Sequence, residues 1–313
     1  MTRWTPLLLD EATLSDMSRL PPETVLYHAD AVAAERPKPV ELYRRWERQQ
    51  WSAEELSLEQ DRDELWKRIP ARYRKLVEES IATFIIGEYT GLDMLGPILT
   101  GSPDEHYSLF LGTQIADETR HTRAVFRMGA EVLDMDPDPK RMLERSWQMV
   151  TPSHRELSLL EAGIVRNLND APMSYSQWLK AVTLFHLITE GVLALVGQRV
   201  LVQSLRDLDT LPGIKSAFTA MCRDESRHIG FGLHALSTGM KEGHEEDIYE
   251  VLEQAVPLAF GIDGELQGTG NDLFDTSTRI LKRHLTTIGV EPLFQEHLLS
   301  LAGENAQNAR VER

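Results

Sequence analysis

The sequence predicts an all-α protein built as a helical bundle, and three observations carry that reading. Long segments place apolar residues at helical spacing and are rich in good helix formers. Alternating β-branched runs are few. The breaks between segments consist of turn and cap chemistry. Taken in order, prolines cluster at Pro21, Pro22, Pro37 and Pro39, so roughly residues 1–40 are expected to form an irregular N-terminal arm. Helices are then expected over roughly 40–50, 61–67, 70–97, 104–132, 138–149, 152–169, 173–205, 212–239, 244–266 and 272–288. They are separated by Gly-Ser-Pro-Asp (101–104), Asp-Met-Asp-Pro-Asp-Pro (134–139), Asn-Asp-Ala-Pro (169–172), Leu-Pro-Gly (211–213) and Gly-Thr-Gly-Asn-Asp (268–272). The Gly-rich GELQGTG near 264–270 reads as a loop, because no strand precedes it. The polar end, GENAQNARVER from about residue 303, reads as a frayed tail (304–313). No linker is long enough to mark a second unit, so residues 1–313 are expected to form one helical domain.

Composition narrows the function. The chain has 313 residues, 42% of them hydrophobic and 26% charged, which is ordinary globular material with a sizeable core. A net charge of −16 argues against nucleic-acid binding, which needs clustered positive charge. The single cysteine, Cys222, permits no internal disulfide and fits a reducing compartment. The opening MTRWTPLLLDEATLSD has only a short apolar patch followed by acids, unlike a signal peptide. No apolar run is expected to approach the ~20 residues of a membrane span. A cytoplasmic location is expected.

The chain writes nearly the same pentapeptide twice: DETRH at 117–121 and DESRH at 224–228. Each contains Glu-x-x-His, Glu118 with His121 and Glu225 with His228. Residues three apart lie on one helical face, so a carboxylate and an imidazole can grip one metal from one helix. Both pairs fall on apolar stripes: Leu111, Ile115, Glu118 and Val125 on one helix, and Ile214, Phe218, Glu225, His228 and Ile229 on the other. A core-facing carboxylate is costly unless a cation neutralises it. Two further helices carry lone carboxylates in apolar surroundings: Glu88 in IATFIIGEYTGLDML, and Glu190 in FHLITEGVLALVG. A dinuclear carboxylate centre in a four-helix bundle needs that set: one Glu from each of two helices and Glu-x-x-His from each of the other two. Four carboxylates balance two divalent ions, and mixed carboxylate and imidazole ligation suits iron or manganese. Asp117 and Asp224 open the two copies. They are candidates to accept the other N–H of a ligating histidine, on the same helix or the opposing one. Arg120 and Arg227 are expected to point away and form surface ion pairs. His186, four before Glu190, is a candidate seventh ligand, outer donor or core histidine. Cys222 is expected to be buried and inert. Tyr89 and Tyr175 are the tyrosines to watch for redox chemistry. Gly87 and Gly91 beside Glu88 either leave room for a ligand or allow close helix packing.

With those residues in place, the chain resembles the ferritin-like superfamily, and within it the ribonucleotide-reductase small-subunit-like proteins. It most resembles the R2-like ligand-binding oxidases. The resemblance runs from about Trp51 to about Gly289, through WSAEELSLEQDRDELW, FIIGEYTG, DETRHTRAVFRM, ITEGVLALVG, DESRHIGFG and VPLAFGI. It implies a ferritin-like four-helix core with additional helices. It also implies metal ligation by Glu88, Glu118, His121, Glu190, Glu225 and His228, an Fe/Fe or Mn/Fe centre, and O₂ activation. A tunnel for a long-chain fatty acid and a homodimer are implied as well. Three departures stand out. Val125 occupies the place of the radical tyrosine of ribonucleotide reductase small subunits, and the C-terminal end lacks an aromatic relay. Gly91 and Phe185 replace the Val and Tyr that form the oxidases' ether crosslink. Met221 stands where arylamine oxygenases add a third histidine. The expectation is therefore a divergent oxidase or oxygenase acting on an apolar or amphipathic substrate. A tyrosine-less reductase small subunit and a non-catalytic metal- or lipid-binding relative are the alternatives.

Overall fold

The computed structural model describes residues 12–20, 31–32, 34–266 and 272–311. Among these the chain forms helices and no strand. After a single turn at Leu14–Met17, the helices are α1 (Pro39–Arg48), α2 (Glu59–Lys67), α3 (Ala71–Thr100), α4 (Glu105–Glu131), α5 (Pro139–Met149) and α6 (Pro152–Asp170). They continue with α7 (Tyr175–Asp207), α8 (Pro212–Lys241), α9 (Glu245–Glu265), α10 (Asp272–Ile288) and α11 (Pro292–Val311). Their starts are chemically marked. The Asp104 carboxylate accepts the N–H groups of His106 and Tyr107 at the head of α4. Asp138 and Thr151 cap α5 and α6, each with proline at the first helical position. The head of α8 is held from outside: Asp61 of α2 accepts the N–H groups of Gly213 (3.0 Å) and Ile214 (2.7 Å), while Glu64 accepts that of Leu211 (2.8 Å).

Four helices, α3, α4, α8 and α7, neighbour one another in a ring. Two apolar clusters fill the ring above and below one polar layer. Along α4 and α7 the chain passes from the first cluster (Leu111, Ile188) to the second (Val125, Leu201). Along α3 and α8 it passes the other way, from Ile85 and Phe218 to Leu95 and Ile229. Two helices thus run up and two down, and the lone acids and Glu-x-x-His pairs meet in one layer. Outside the ring, α5 packs on α3, α1 packs on α4 and α8, and α6, α9, α10 and α11 cover the α7 side.

Three sequence expectations change. The last helix, Pro292–Val311, was not expected, and it carries the polar segment 304–311 that reads as a frayed tail. Leu298, Ala302 and Ala306 form its buried stripe against α9 and supply the packing that a polar sequence does not announce. The helix Tyr175–Asp207 is long and apolar enough to cross a membrane, contrary to the expectation that no run is; 78% of its most apolar window is buried inside the protein. The same helix leaves α geometry at Thr183–Ala194, where it is a π-helix. The GELQGTG loop lies largely outside the described residues.

Candidate metal centre

In the polar layer, Glu88 of α3, Glu118 and His121 of α4, Glu190 of α7, and Glu225 and His228 of α8 are all at most 5% exposed. They form two overlapping groups: Glu88, Glu118, His121 and Glu225, and Glu118, Glu190, Glu225 and His228. Within each group one ligand atom per residue lies within 4.8 Å of the others. His121 Nδ1 stands 3.4 Å from Glu88 Oε2 and 3.4 Å from Glu225 Oε1. His228 Nδ1 stands 3.2 Å from oxygens of Glu118, Glu190 and Glu225. Glu118 and Glu225 belong to both groups, as bridging carboxylates between two metals would.

The outward nitrogens fix the rings. His121 Nε2 meets Asp224 Oδ2 at 3.1 Å, and His228 Nε2 meets Asp117 Oδ2 at 3.2 Å. Each aspartate serves the histidine of the opposing helix. A proton held on Nε2 leaves Nδ1 as a lone-pair donor facing inward. Arg227 does not lie on the surface as expected. It is 0% exposed and donates through Nη2 to Asp117 and Asp224, 2.7 Å each, tying the two copies together. Its position inside follows from the two carboxylates, which need a buried cation. Arg120 follows the expectation more closely: it is partly exposed and bonds Asp117 Oδ1 at 2.9 Å.

The electrostatics ask for cations between these groups. Burial raises the pKa of Glu88 and of Glu118, whose like-charged neighbour Glu225 adds to the effect, and it lifts Glu190 to about 7. Burial opposes charge on both imidazoles as well, yet the surrounding carboxylates outweigh it and raise both. Glu225, despite its burial, falls to about 2 because it touches both rings. Protons thus gather where metals would sit. Glu118 Oε1, Glu190 Oε2 and His121 Nδ1 are buried with no hydrogen-bond partner among the described residues. Orphaned donor atoms converging on one layer, with four negative charges, fit two divalent ions. The chain has a buried carboxylate and histidine group able to bind two metals.

Several neighbours were not legible as site residues. Gln114 donates to Glu190 Oε1 (2.9 Å) and its carbonyl meets His186 Nε2 (3.0 Å). This places His186 one step behind Glu190, with its pKa pushed by burial to about 3. Gln198 reaches Glu225 (3.5 Å) and accepts the Cys222 thiol (2.8 Å), so Cys222 is buried as expected. Trp46 donates its indole N–H to Asp117 (3.0 Å), and Trp51 donates to Asp224 (2.7 Å). The usable signals were a lone amide on each apolar stripe and two tryptophans in an otherwise polar stretch. Tyr89 stacks on Phe126, while Tyr175 packs on Trp178 and His244, away from the layer. The two glycines differ. A Cβ on Gly91 would stand 3.0 Å from the Phe185 ring, whereas one on Gly87 would meet nothing within 4 Å. Gly91 allows the Phe185 ring to pack closely, and both glycines line a cavity of about 420 Å³. That cavity reaches the four glutamates at one end and the half-exposed Leu208 at another.

Comparison with known proteins follows the same lines. A family model described as ribonucleotide reductase, small chain, matches residues 30–297. Two ribonucleoside-diphosphate reductase small chains from isolates of African swine fever virus are 23% and 22% identical over 218 residues. Those matches cover 69% of this chain and 63% of each relative. Among solved structures, a point variant of an R2-like ligand-binding oxidase with an anaerobically reconstituted Mn/Fe cofactor superposes with a TM-score of 0.72. It is 19% identical, with 81% of this chain and 94% of that chain covered. The R2-like ligand-binding oxidase from Sulfolobus acidocaldarius gives 0.68 at 20% identity, covering 86% and 93%.

Proposed function

Since the chain belongs to the ribonucleotide reductase small-chain family, we propose that it is a dinuclear-metal oxidase or oxygenase that activates O₂ and oxidises an apolar or amphipathic substrate. The observation that carries the reading is the two overlapping ligand groups with their orphaned, inward-facing donor atoms. Glu88, Glu118 and Glu225 with His121 would hold one ion, and Glu118, Glu190 and Glu225 with His228 the other. When bound, an Fe/Fe or Mn/Fe pair supplies the electrons and the Lewis acidity that O₂ reduction needs. The chain supplies the rest. Asp117 and Asp224 keep both imidazoles in the tautomer that presents Nδ1. Gln114 holds Glu190 Oε1 and leaves Oε2 free. The apolar clusters on either side of the layer exclude water from the site. The cavity beside Glu88 and Glu190 gives an apolar substrate access.

The tyrosine-less reductase small subunit is the second reading, favoured by the family match itself. Val125 is fully buried where small subunits with a tyrosyl radical carry that tyrosine, which counts against that kind of subunit and not against the tyrosine-less one. The cavity beside Glu88 and Glu190 counts for the oxidase, whereas Phe185, which lacks the phenol of the oxidases' crosslink, sets the chain apart from them. A homodimer in the cytoplasm is part of the proposal, and sedimentation of the loaded protein tests the dimer. The decisive experiment is anaerobic loading with iron and manganese followed by air. Two metals per chain, O₂ uptake and an oxidised-metal absorption band are expected. Glu118→Ala should lose both metals, since its carboxylate belongs to both groups. Full metal content with full O₂ uptake in that variant would sink the ligand assignment.

A further inference from the structure

Of the four glutamates in the metal layer, Glu190 is the one carried on π-wound backbone, and Gly191 follows it in the same stretch, Thr183–Ala194. At the end of that stretch the Leu195 N–H bonds the carbonyl of Glu190, five residues back, and that of Val192, and passes over Gly191 between them. From Leu195 the chain resumes α geometry. A change from five-residue to four-residue spacing leaves one carbonyl over, and here that carbonyl belongs to Gly191. It is bonded from outside the helix: His284 Nε2 of α10 stands 3.1 Å from Gly191 O, and both residues are buried. A carbonyl only accepts, so the ring donates its Nε2–H. His284 Nδ1 is buried with no hydrogen-bond partner among the described residues, as the bare nitrogen of that tautomer. Burial pushes the ring down to about 4, which keeps it neutral. Gly191 suits the junction sterically. A Cβ there would stand 2.9 Å from the His186 carbonyl, closer than real side chains come, and 3.4 Å from the His284 ring.

We propose that His284 is a positioning residue for Glu190: by holding the carbonyl that the π junction leaves over, it fixes the backbone turn that aims the Glu190 carboxylate into the metal layer. The inference rests on the metal-centre reading. Gln114 holds the same glutamate at Oε1, so Glu190 is held from its side chain by α4 and from its backbone by α10. Without the His284 donor a buried carbonyl is left unsatisfied, and the helix recovers by drawing the junction into α spacing. One residue is about 100° of helical turn, so that change swings Glu190 away from His228. Glu190 belongs to the ligand group of His228 and not to that of His121. His284 therefore acts on one ion of the two.

The test is chelator competition on the metal-loaded protein and amide hydrogen exchange on the metal-free chain, for His284→Leu, His284→Gln and Gly191→Ala. His284→Leu keeps a buried side chain and removes the donor. It is expected to hold one metal about tenfold more weakly, the size of effect that losing an outer partner of a ligand gives, while the other metal is held as in the unaltered protein. In the metal-free chain, exchange across residues 193–196 should rise about tenfold, as a lost hydrogen bond at the junction implies. His284→Gln puts an amide N–H near the place of Nε2 and should restore both readings, which a role in packing alone would not do. Gly191→Ala crowds the same junction from the other side and should give the same selective loss, which covers a His284→Leu chain that does not fold. Unchanged metal hold, equal weakening of both metals, or a loss that glutamine does not restore would overturn the proposal. An unaltered chain that takes up no metal refutes the metal-centre reading, and the exchange contrast between leucine and glutamine then decides the junction by itself. A loaded protein whose metals and exchange ignore these substitutions refutes this inference alone.

Discussion

The two DE-x-RH copies are written almost alike and are buried unlike. In the second copy every residue from Asp224 to His228 is buried, and Arg227 reaches across to bond both aspartates. In the first, Arg120 stays partly exposed and bonds one aspartate, Asp117, with Gln50 as a second partner. The helices explain the difference. α8 runs through the middle of the protein, covered by α1, α2 and α7, and is buried along nearly its whole length. α4 lies at the edge, with the outer face of Thr119, Arg120 and Arg123 turned to α1 and solvent. The lesson is that a repeated motif specifies the inward positions, and the environment of the helix decides what the remaining ones do. An arginine that is decoration in one copy becomes the central cation of the other.

The largest expected effect breaks that asymmetry. Arg227→Ala leaves two buried aspartates facing each other without the cation they share, Asp117 keeping only the peripheral Arg120, and removing one partner of a buried ionic network costs about 3–5 kcal/mol. Arg120→Ala removes a partly exposed pair and should cost about 1 kcal/mol or less. Urea denaturation of both metal-free variants checks the contrast. Equal, small losses would mean that Arg227 is not the cation holding the two copies together.

A middle-sized effect separates the two halves of the centre. Asp224→Asn weakens the hold on the His121 ring, and Asp117→Asn weakens it on the His228 ring. Losing such a partner reduces metal affinity by about 10–100-fold. Chelator competition with the loaded protein should show each variant releasing one metal early and keeping the other. Simultaneous release of both metals in either variant would show that the two halves bind as one unit.

The inward positions are also what the sequence made legible. Glu-x-x-His is local: helix periodicity alone puts both side chains on one face, and an apolar stripe says that the face is buried. The lone acids Glu88 and Glu190 were legible for the same reason. What stayed hidden depends on contacts between distant segments. Trp46 and Trp51 reach aspartates 71 and 173 residues away, and Gln114 meets Glu190 across 76. The terminal helix is held by its packing on α9, and the π turn of α7 is absent from any propensity.

The smallest expected effect sharpens the comparison. Trp46→Phe and Trp51→Phe each delete one indole N–H donated to a buried aspartate, a change of about 1 kcal/mol. They should not be equal. Asp117 Oδ1 keeps Arg120 when Trp46 is lost. The oxygen that Trp51 serves, Asp224 Oδ2, keeps only His121 among its described partners, and the Trp51 ring also stacks on that imidazole with centroids 6.2 Å apart. Trp51→Phe should therefore lower the melting temperature further and weaken the metal beside His121, while Trp46→Phe leaves metal content unchanged. The opposite order would mean that the segment 46–51 is held by the packing of α1, with the indole contacts following from that packing rather than producing it.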